Sequence, residues 1–283
     1  MEVASIFMNT ILLKKTLTDI SGTKVTGMSI KAPEIANSAR PGQFVAIMVS
    51  EKGERIPLTI VDKNAKTGAI SIIFQEVGLT TKLLGSMNTG QAIWSIVGPL
   101  GHPTEIKKYG KVIIVGGGVG IAEILPVASA FKMAGNHVTI IVGTRTKDLL
   151  ILEKELKTVS DEFYVTTDDG SYGRKAFTTQ ILEELLKNSK YDLVYSVGPI
   201  PMMRRTAAVT QPFGVKTIVS LNALMVDATG MCGCCRVSVG GIVKFSCVDG
   251  PEFDAQAVNW DELTKRNSIY KDKESHICNL NKL

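Results

Sequence analysis

The apolar run Val112-Ile113-Ile114-Val115 breaks directly into Gly116-Gly117-Gly118-Val119-Gly120-Ile121-Ala122, and no other junction constrains the chain as strongly. A buried strand that stops at glycines and restarts as a helix belongs in a parallel α/β sheet, where free backbone N–H groups at the helix start can meet a phosphate. The G-x-G-x-x-G pattern is incomplete, because Ile121 stands in the place of the third glycine. Taken alone, the motif also fits a packing turn. Further apolar runs at 137–142, 163–166, 193–197 and 217–219 alternate with helical segments, in which Leu149, Leu152, Leu156 and Val159, then Phe177, Ile181 and Leu185, recur at helical spacing. That rhythm predicts a doubly wound parallel domain over residues 106–220.

A second loop, Gly198-Pro199-Ile200-Pro201, follows the fourth of these strands. With the strand order 3-2-1-4-5, both loops flank one crevice, which makes Gly116, Gly117, Gly118, Gly120, Gly198 and Pro199 candidates for holding a dinucleotide. No acid ends the second strand. Arg145 stands there instead, either to receive a 2′-phosphate or as a solvated surface arginine.

Residues 1–105 read differently. Short alternating strands at 44–49, 58–61, 69–74 and 93–97, separated by turns, predict an antiparallel β-barrel. Within it, Arg55-Ile56-Pro57-Leu58-Thr59 and Gly78-Leu79-Thr80-Thr81 supply an arginine and hydroxyls that can bind a pyrophosphate. The plain alternative is a turn with polar surface residues.

Four of the five cysteines, Cys232, Cys234, Cys235 and Cys247, fall within sixteen residues of the segment 221–283. Clustering of this kind in a chain with enough apolar residues for a core points to ligation rather than to disulfide staples. Counting back from Cys232 to the place where the C-x4-C-x2-C spacing would put a cysteine reaches Asp227, so the pattern is D-x4-C-x2-C-x11-C. Arg236–Val239 and Ile242–Phe245 flank Gly240-Gly241, a two-residue hairpin signal that sets Cys235 opposite Ser246 and returns Cys247 to the loop holding Cys232. Asp227, Cys232, Cys235 and Cys247 are the metal-ligand candidates. Cys234 is a possible replacement for Asp227, and Cys278 stands apart in the tail. A zinc site would accept the same donors, although zinc usually shows paired knuckles rather than a loop followed by a hairpin.

The formal charge of +5 is scattered, without basic arms or stripes, which argues against a nucleic-acid partner. The longest apolar stretch, 112–131, is interrupted by four glycines, Glu123 and Pro126 and does not read as a membrane span. No signal peptide is legible after Met1-Glu2-Val3, so a cytoplasmic protein is expected.

These elements in this order resemble the ferredoxin–NADP reductase-like superfamily, with Arg55–Thr59 as its flavin motif and Gly116–Ala122 as its nicotinamide loop. The cysteine segment narrows the resemblance to the group containing the electron-transfer subunit of dihydroorotate dehydrogenase, the beta subunit of sulfide dehydrogenase and the alpha subunit of NADH-dependent reduced ferredoxin:NADP oxidoreductase. The segment 221–233 is similar to the last two, in which an aspartate replaces the first cysteine ligand. Segments 248–254 and 166–173 are similar as well, and the second brings Asp169 among the cofactor-binding candidates. Ala228 departs from the glycine usual in relatives, which matters if that backbone needs positive φ.

The resemblance implies an FAD-binding barrel, an NAD(P)-binding domain and a 2Fe-2S lobe. NAD(H) or NADP(H) would exchange hydride with FAD, and single electrons would pass through the cluster to a larger glutamate-synthase-like flavoprotein subunit in a hetero-oligomer, and indirectly to ferredoxin. Arg55, Pro57, Leu58, Thr59, Gly78, Thr80 and Thr81 would serve the flavin. The alternatives are a dihydroorotate dehydrogenase or hydrogenase-type complex, and, in another class, a zinc-stabilised nucleotide-binding regulatory protein.

Overall fold

The computed structural model describes residues 9–20 and 22–280, with backbone alone at 275 and 277–280; the side chain of Cys278 lies outside the described residues. The N-terminal part holds strands β1 (Ile11–Ile20), β2 (Thr23–Lys31), β3 (Phe44–Met48), β4 (Arg55–Thr59), β5 (Asp62–Asn64), β6 (Ala69–Gln75) and β7 (Ser95–Leu100), with helices α1 (Pro33–Ser38) and α2 (Leu79–Ser86). They pair antiparallel in two sheets, β1-β2-β6-β5 and β4-β3-β7. Alternating residues from both sheets, among them Ile30, Val45, Ile47, Ile70, Ile72 and Phe74, fill one core. Pro57 is tolerated inside β4 because β4 is an edge strand.

The second part runs β8 (Lys111–Gly117), α3 (Gly120–Met133), β9 (His137–Thr144), α4 (Glu153–Thr158), β10 (Glu162–Thr167), β11 (Arg174–Lys175), α5 (Thr178–Asn188), β12 (Leu193–Val197), α6 (Ile200–Thr210) and β13 (Lys216–Ser220). The order β10-β9-β8-β12-β13 is the expected 3-2-1-4-5, all parallel, with β11 added outside β10. Apolar side chains fill both faces, with Val112, Ile114 and Phe131 on one side and Ile113, Val115 and Ile181 on the other. Continuous apolar runs, rather than alternating ones, are what a sheet covered on both faces requires.

The last part contains the hairpin β14 (Arg236–Val239) and β15 (Ile242–Phe245), then β16 (Glu252–Asp254), α7 (Trp260–Asn267) and α8 (Lys271–Leu280). Gly240 and Gly241, at φ 59° and 78°, make the tight turn, and Ser246 N–H donates to Cys235 O at 3.1 Å, the pairing expected from the spacing. One feature was not legible. β16 leaves this lobe and pairs antiparallel with β13, completing the edge of the parallel sheet. A shared core of Phe44 and Ala46 from β3, Met203 and Ala207 from α6, and Cys235, Val237 and Cys247 joins all three parts. Among the described residues no helix is long and apolar enough to cross a membrane.

Candidate functional site

Where β8 ends, Gly117, Gly118 and Gly120 line a cleft of about 1050 Å³ together with Arg145, Gly198 and Pro199. Two glycines permit close approach of the chain: a Cβ on Gly120 would stand 2.8 Å from Val197 O, and one on Gly117 2.4 Å from Met202 Sδ. Gly118 has φ +57°. Gly116 has a different neighbour, since its Cβ would meet Ile124 Cδ1 at 2.8 Å, so its bareness serves helix–strand packing. Arg145 lines the cleft and donates to Thr23 Oγ1 of β2 at 2.9 Å, a bridge between the parallel sheet and the barrel. Asp169 is occupied in a turn, accepting from Ser171 N at 2.9 Å and from Ser171 Oγ at 2.7 Å, while its neighbour Asp168 lines the cleft.

The barrel reaches the cleft through Thr23 and Val25 of β2 and Gln75 of β6; the candidate arginine motif stands on β4. Arg55, Pro57, Leu58 and Thr59 are all half-buried on it. Gly78, Thr80 and Thr81 open α2 beside it: Thr81 Oγ1 accepts from Gly78 N at 3.0 Å, and Thr80 Oγ1 donates to Glu54 Oε2 at 3.0 Å, so the two segments of the barrel motif are joined. Glu123, in the first turn of α3, faces the same cleft and bonds the Thr59 side chain; burial pushes its carboxyl up to about 6, with the Thr59 contact acting the other way. Sequence reasoning missed Glu123. The available signal was an acid inside an otherwise apolar segment.

Cys235 and Cys247 are buried, with their sulfurs 3.2 Å apart. Two thiolates bound tetrahedrally at about 2.3 Å to one ion stand about 3.8 Å apart, so a small parting of these two side chains would admit one. Burial, then the adjacent Cys235, pushes the Cys247 thiol up to about 12, so a metal ion bound there would have to displace the proton. Backbone N–H groups point at sulfur, from Cys234 to Cys232 at 3.5 Å and from Cys247 to Cys235 at 3.4 Å. The loop between Asp227 and Cys235 takes φ +64° at Ala228, +88° at Gly230 and +67° at Gly233, so the backbone at Ala228 does need the conformation that favours glycine.

Cys232 is exposed, and the Asp227 carboxylate is turned to Thr229 and Arg55. Among the described residues no three His, Cys, Asp or Glu side chains are gathered around one point. A two-iron cluster divides four ligands into two pairs and requires no such triple; the donor chemistry of two thiols in one pair with a thiol and a carboxylate in the other fits it. The Asp227 carboxyl is held below the usual range, chiefly by the Thr229 hydroxyl, with the Thr229 and Met231 N–H groups and the Arg55 charge adding to it. Cys234 is half-exposed, its carbonyl accepting from Arg266 Nη2 at 3.0 Å, and burial raises its thiol.

Two family descriptions match the chain: the oxidoreductase NAD-binding domain over residues 114–208, and the iron–sulfur cluster binding domain of dihydroorotate dehydrogenase B over residues 222–259. The dihydroorotate dehydrogenase B (NAD(+)) electron transfer subunit homolog of Thermotoga maritima is 49% identical over 87% of this chain and 86% of its own length. The probable dihydroorotate dehydrogenase B electron transfer subunit of Methanopyrus kandleri is 34% identical over 82% of this chain and 85% of its own. Among solved structures, a chain of the NADH-dependent reduced ferredoxin-NADP oxidoreductase superposes with a TM-score of 0.89 at 46% identity, covering 95% of each chain. The cytochrome P450 reductase of Amycolatopsis, at 18% identity and a TM-score of 0.61 over 72% of this chain and 65% of its own, shares the fold.

Proposed function

Because this chain belongs to the family of dihydroorotate dehydrogenase B-type electron-transfer subunits, redox-enzyme components with an NAD-binding and an iron–sulfur domain, we propose that it carries electrons between NAD(P)H and a partner flavoprotein by way of FAD and a 2Fe-2S cluster. In this reading residues 1–105 bind FAD, 106–220 bind the nicotinamide dinucleotide and 221–283 hold the cluster. An FAD held by residues 1–105 would supply the conversion between hydride chemistry and single-electron transfer.

The chain's own residues perform the placement. Gly117, Gly118 and Gly120 would let a pyrophosphate approach the start of α3 closely, with Gly198 and Pro199 closing the other side of the cleft. Arg55 would offer its remaining N–H groups to the flavin phosphates, while Thr59, Thr80 and Thr81, whose hydroxyls are bonded to Glu123, Glu54 and Gly78, would shape the strand and turn around them with Gly78, Pro57 and Leu58. Asp227 and Cys232 would hold one iron and Cys235 and Cys247 the other, with the N–H groups on sulfur tuning the potential. Carrying this reading is the contact of Arg55 with Asp227, 3.1 Å, which sets the cysteine loop against the barrel motif.

Anaerobically purified full-length protein is expected to contain about two irons and two acid-labile sulfides per chain. It should also show flavin absorbance that bleaches with NADH or NADPH. Absence of iron and sulfide defeats the cluster, and absence of flavin binding defeats the barrel assignment. The proposed partner is a larger glutamate-synthase-like flavoprotein and iron–sulfur subunit, supported by the structural relative and by Asp227 in the first ligand place. A dihydroorotate dehydrogenase partner is the second reading, favoured by the names of the sequence relatives; co-purification from the native cell and assay of the complex with dihydroorotate separates the two.

A further inference from the structure

We propose that Arg55 is a positioning residue of the iron–sulfur site, clamping one carboxylate oxygen of Asp227 and so fixing the direction from which the carboxylate meets iron. The inference rests on the reading of Asp227 as a cluster ligand. Arg55 and Asp227 lie far apart in sequence, yet Nη1 of the arginine stands 3.1 Å from Oδ1 of the aspartate, both groups half-buried. The nearest carboxylate in sequence, Glu54, is engaged by Thr80 Oγ1 at 3.0 Å, on the α2 side. Thr229 donates through both its hydroxyl and its N–H to Oδ2, so each carboxylate oxygen has a fixed partner and the plane of the group is set.

A carboxylate differs from a thiolate in having two donor atoms. A carboxylate can accept from a guanidinium and still coordinate a metal: Oδ1, which accepts from Arg55, retains a further lone pair, whereas Oδ2 already accepts twice from Thr229. A cysteine in the same place would bind through its single sulfur and give Arg55 no second atom to hold. Partners of this kind orient a metal's ligands and govern how firmly the metal is kept. The arginine of the barrel motif would then serve two sites, which ties the geometry of the cysteine loop to that of β4.

The test uses the full chain with its cluster reconstituted anaerobically, in the variants R55Q, D227C, R55Q/D227C and D227A. Readouts are the electron paramagnetic resonance spectrum of the reduced cluster and the rate of iron loss to a chelator. R55Q is expected to shift the spectrum and to speed iron loss by about 10–100-fold in the protein with Asp227. In the D227C background the same substitution should change neither. Equal effects in both backgrounds, or no effect with Asp227 present, overturns the proposal, and the double variant's retained cluster shows that the fold survives loss of the arginine. D227A separates the two levels: an unchanged spectrum and iron content removes Asp227 as a ligand, whereas a changed spectrum with R55Q silent removes only the role of Arg55.

Discussion

The hydroxyl of Tyr195, on β12, donates to Glu252 Oε1, on β16, across 2.7 Å, and Thr104 Oγ1 donates to the same oxygen at 2.5 Å. One carboxyl from the C-terminal lobe thus pins the parallel sheet to the segment that leaves the barrel. Burial raises the Glu252 carboxyl and, together with Glu252 itself, lifts the Tyr195 phenol well above its ordinary range. Glu252→Ala would leave a fully buried phenol without its acceptor, and should destabilise the protein by about 2–4 kcal/mol. Glu252→Gln keeps an acceptor oxygen and should cost less than half as much. Thermal unfolding of the two variants checks the order.

At Ala228 two terms nearly cancel. Relief of its φ of +64° by glycine is worth about 1 kcal/mol, but the methyl is buried in the core shared with Cys235 and Cys247, and glycine adds chain entropy to the unfolded state. Ala228→Gly is therefore expected to alter stability by less than about 1 kcal/mol. Ala228→Val, with a branched Cβ in the left-handed region, should cost more than about 2 kcal/mol and lower iron retention. Chemical denaturation and iron analysis of both variants test this.

Gly120 and Gly118 should respond to alanine for different reasons. At Gly120 the new methyl meets backbone, Val197 O at 2.8 Å and Gly198 Cα at 3.1 Å, which can yield only if α3 shifts away from β12. A loss of about 1–3 kcal/mol and weaker dinucleotide binding are expected. At Gly118 there is open space and only the φ of +57° to strain, so about 1–2 kcal/mol is at stake. Melting curves with and without NADH distinguish a shifted helix from a strained turn.

Glu123 supplies a pH dependence. Its carboxyl titrates near 6 in the fold against an ordinary 4.5, so the folded chain binds the proton more tightly than the unfolded one. The stability it contributes is full below about pH 4.5 and is lost as pH rises through 6, an amount on the order of 2 kcal/mol. Glu123→Gln mimics the neutral acid. Its melting midpoint should exceed that of the parent protein at pH 8, and the difference should close at pH 4.5; a constant difference would show that Glu123 does not titrate in this window.

Much of the fold was legible because its signals are local. The hairpin at Gly240-Gly241 and the five parallel strands follow from turn chemistry and apolar periodicity, and each falls at or within a few residues of its expected place. The long strands β1 and β2 were not foreseen: exposed positions such as Leu12, Leu13 and Ile20 blur the alternation on β1, and Gly27 interrupts β2. The helix expected across 149–159 is only Glu153–Thr158, with a short 3-10 turn before it, since Leu152 adopts φ +57° and interrupts the run. Tyr195 and Glu252 were invisible as a pair because 57 positions separate them and no local pattern links the two.

The spacing of Asp227, Cys232, Cys235 and Cys247, and the glycines after β8, were determined by the sequence alone, because ligand spacing and backbone freedom are properties of consecutive residues. Only the tertiary structure decided that Arg55 reaches Asp227, that β16 extends the parallel sheet and that Glu123 meets Thr59. Those contacts join residues brought together by the packing of separate cores, and no local pattern encodes which side chains will meet when separate surfaces exclude water together.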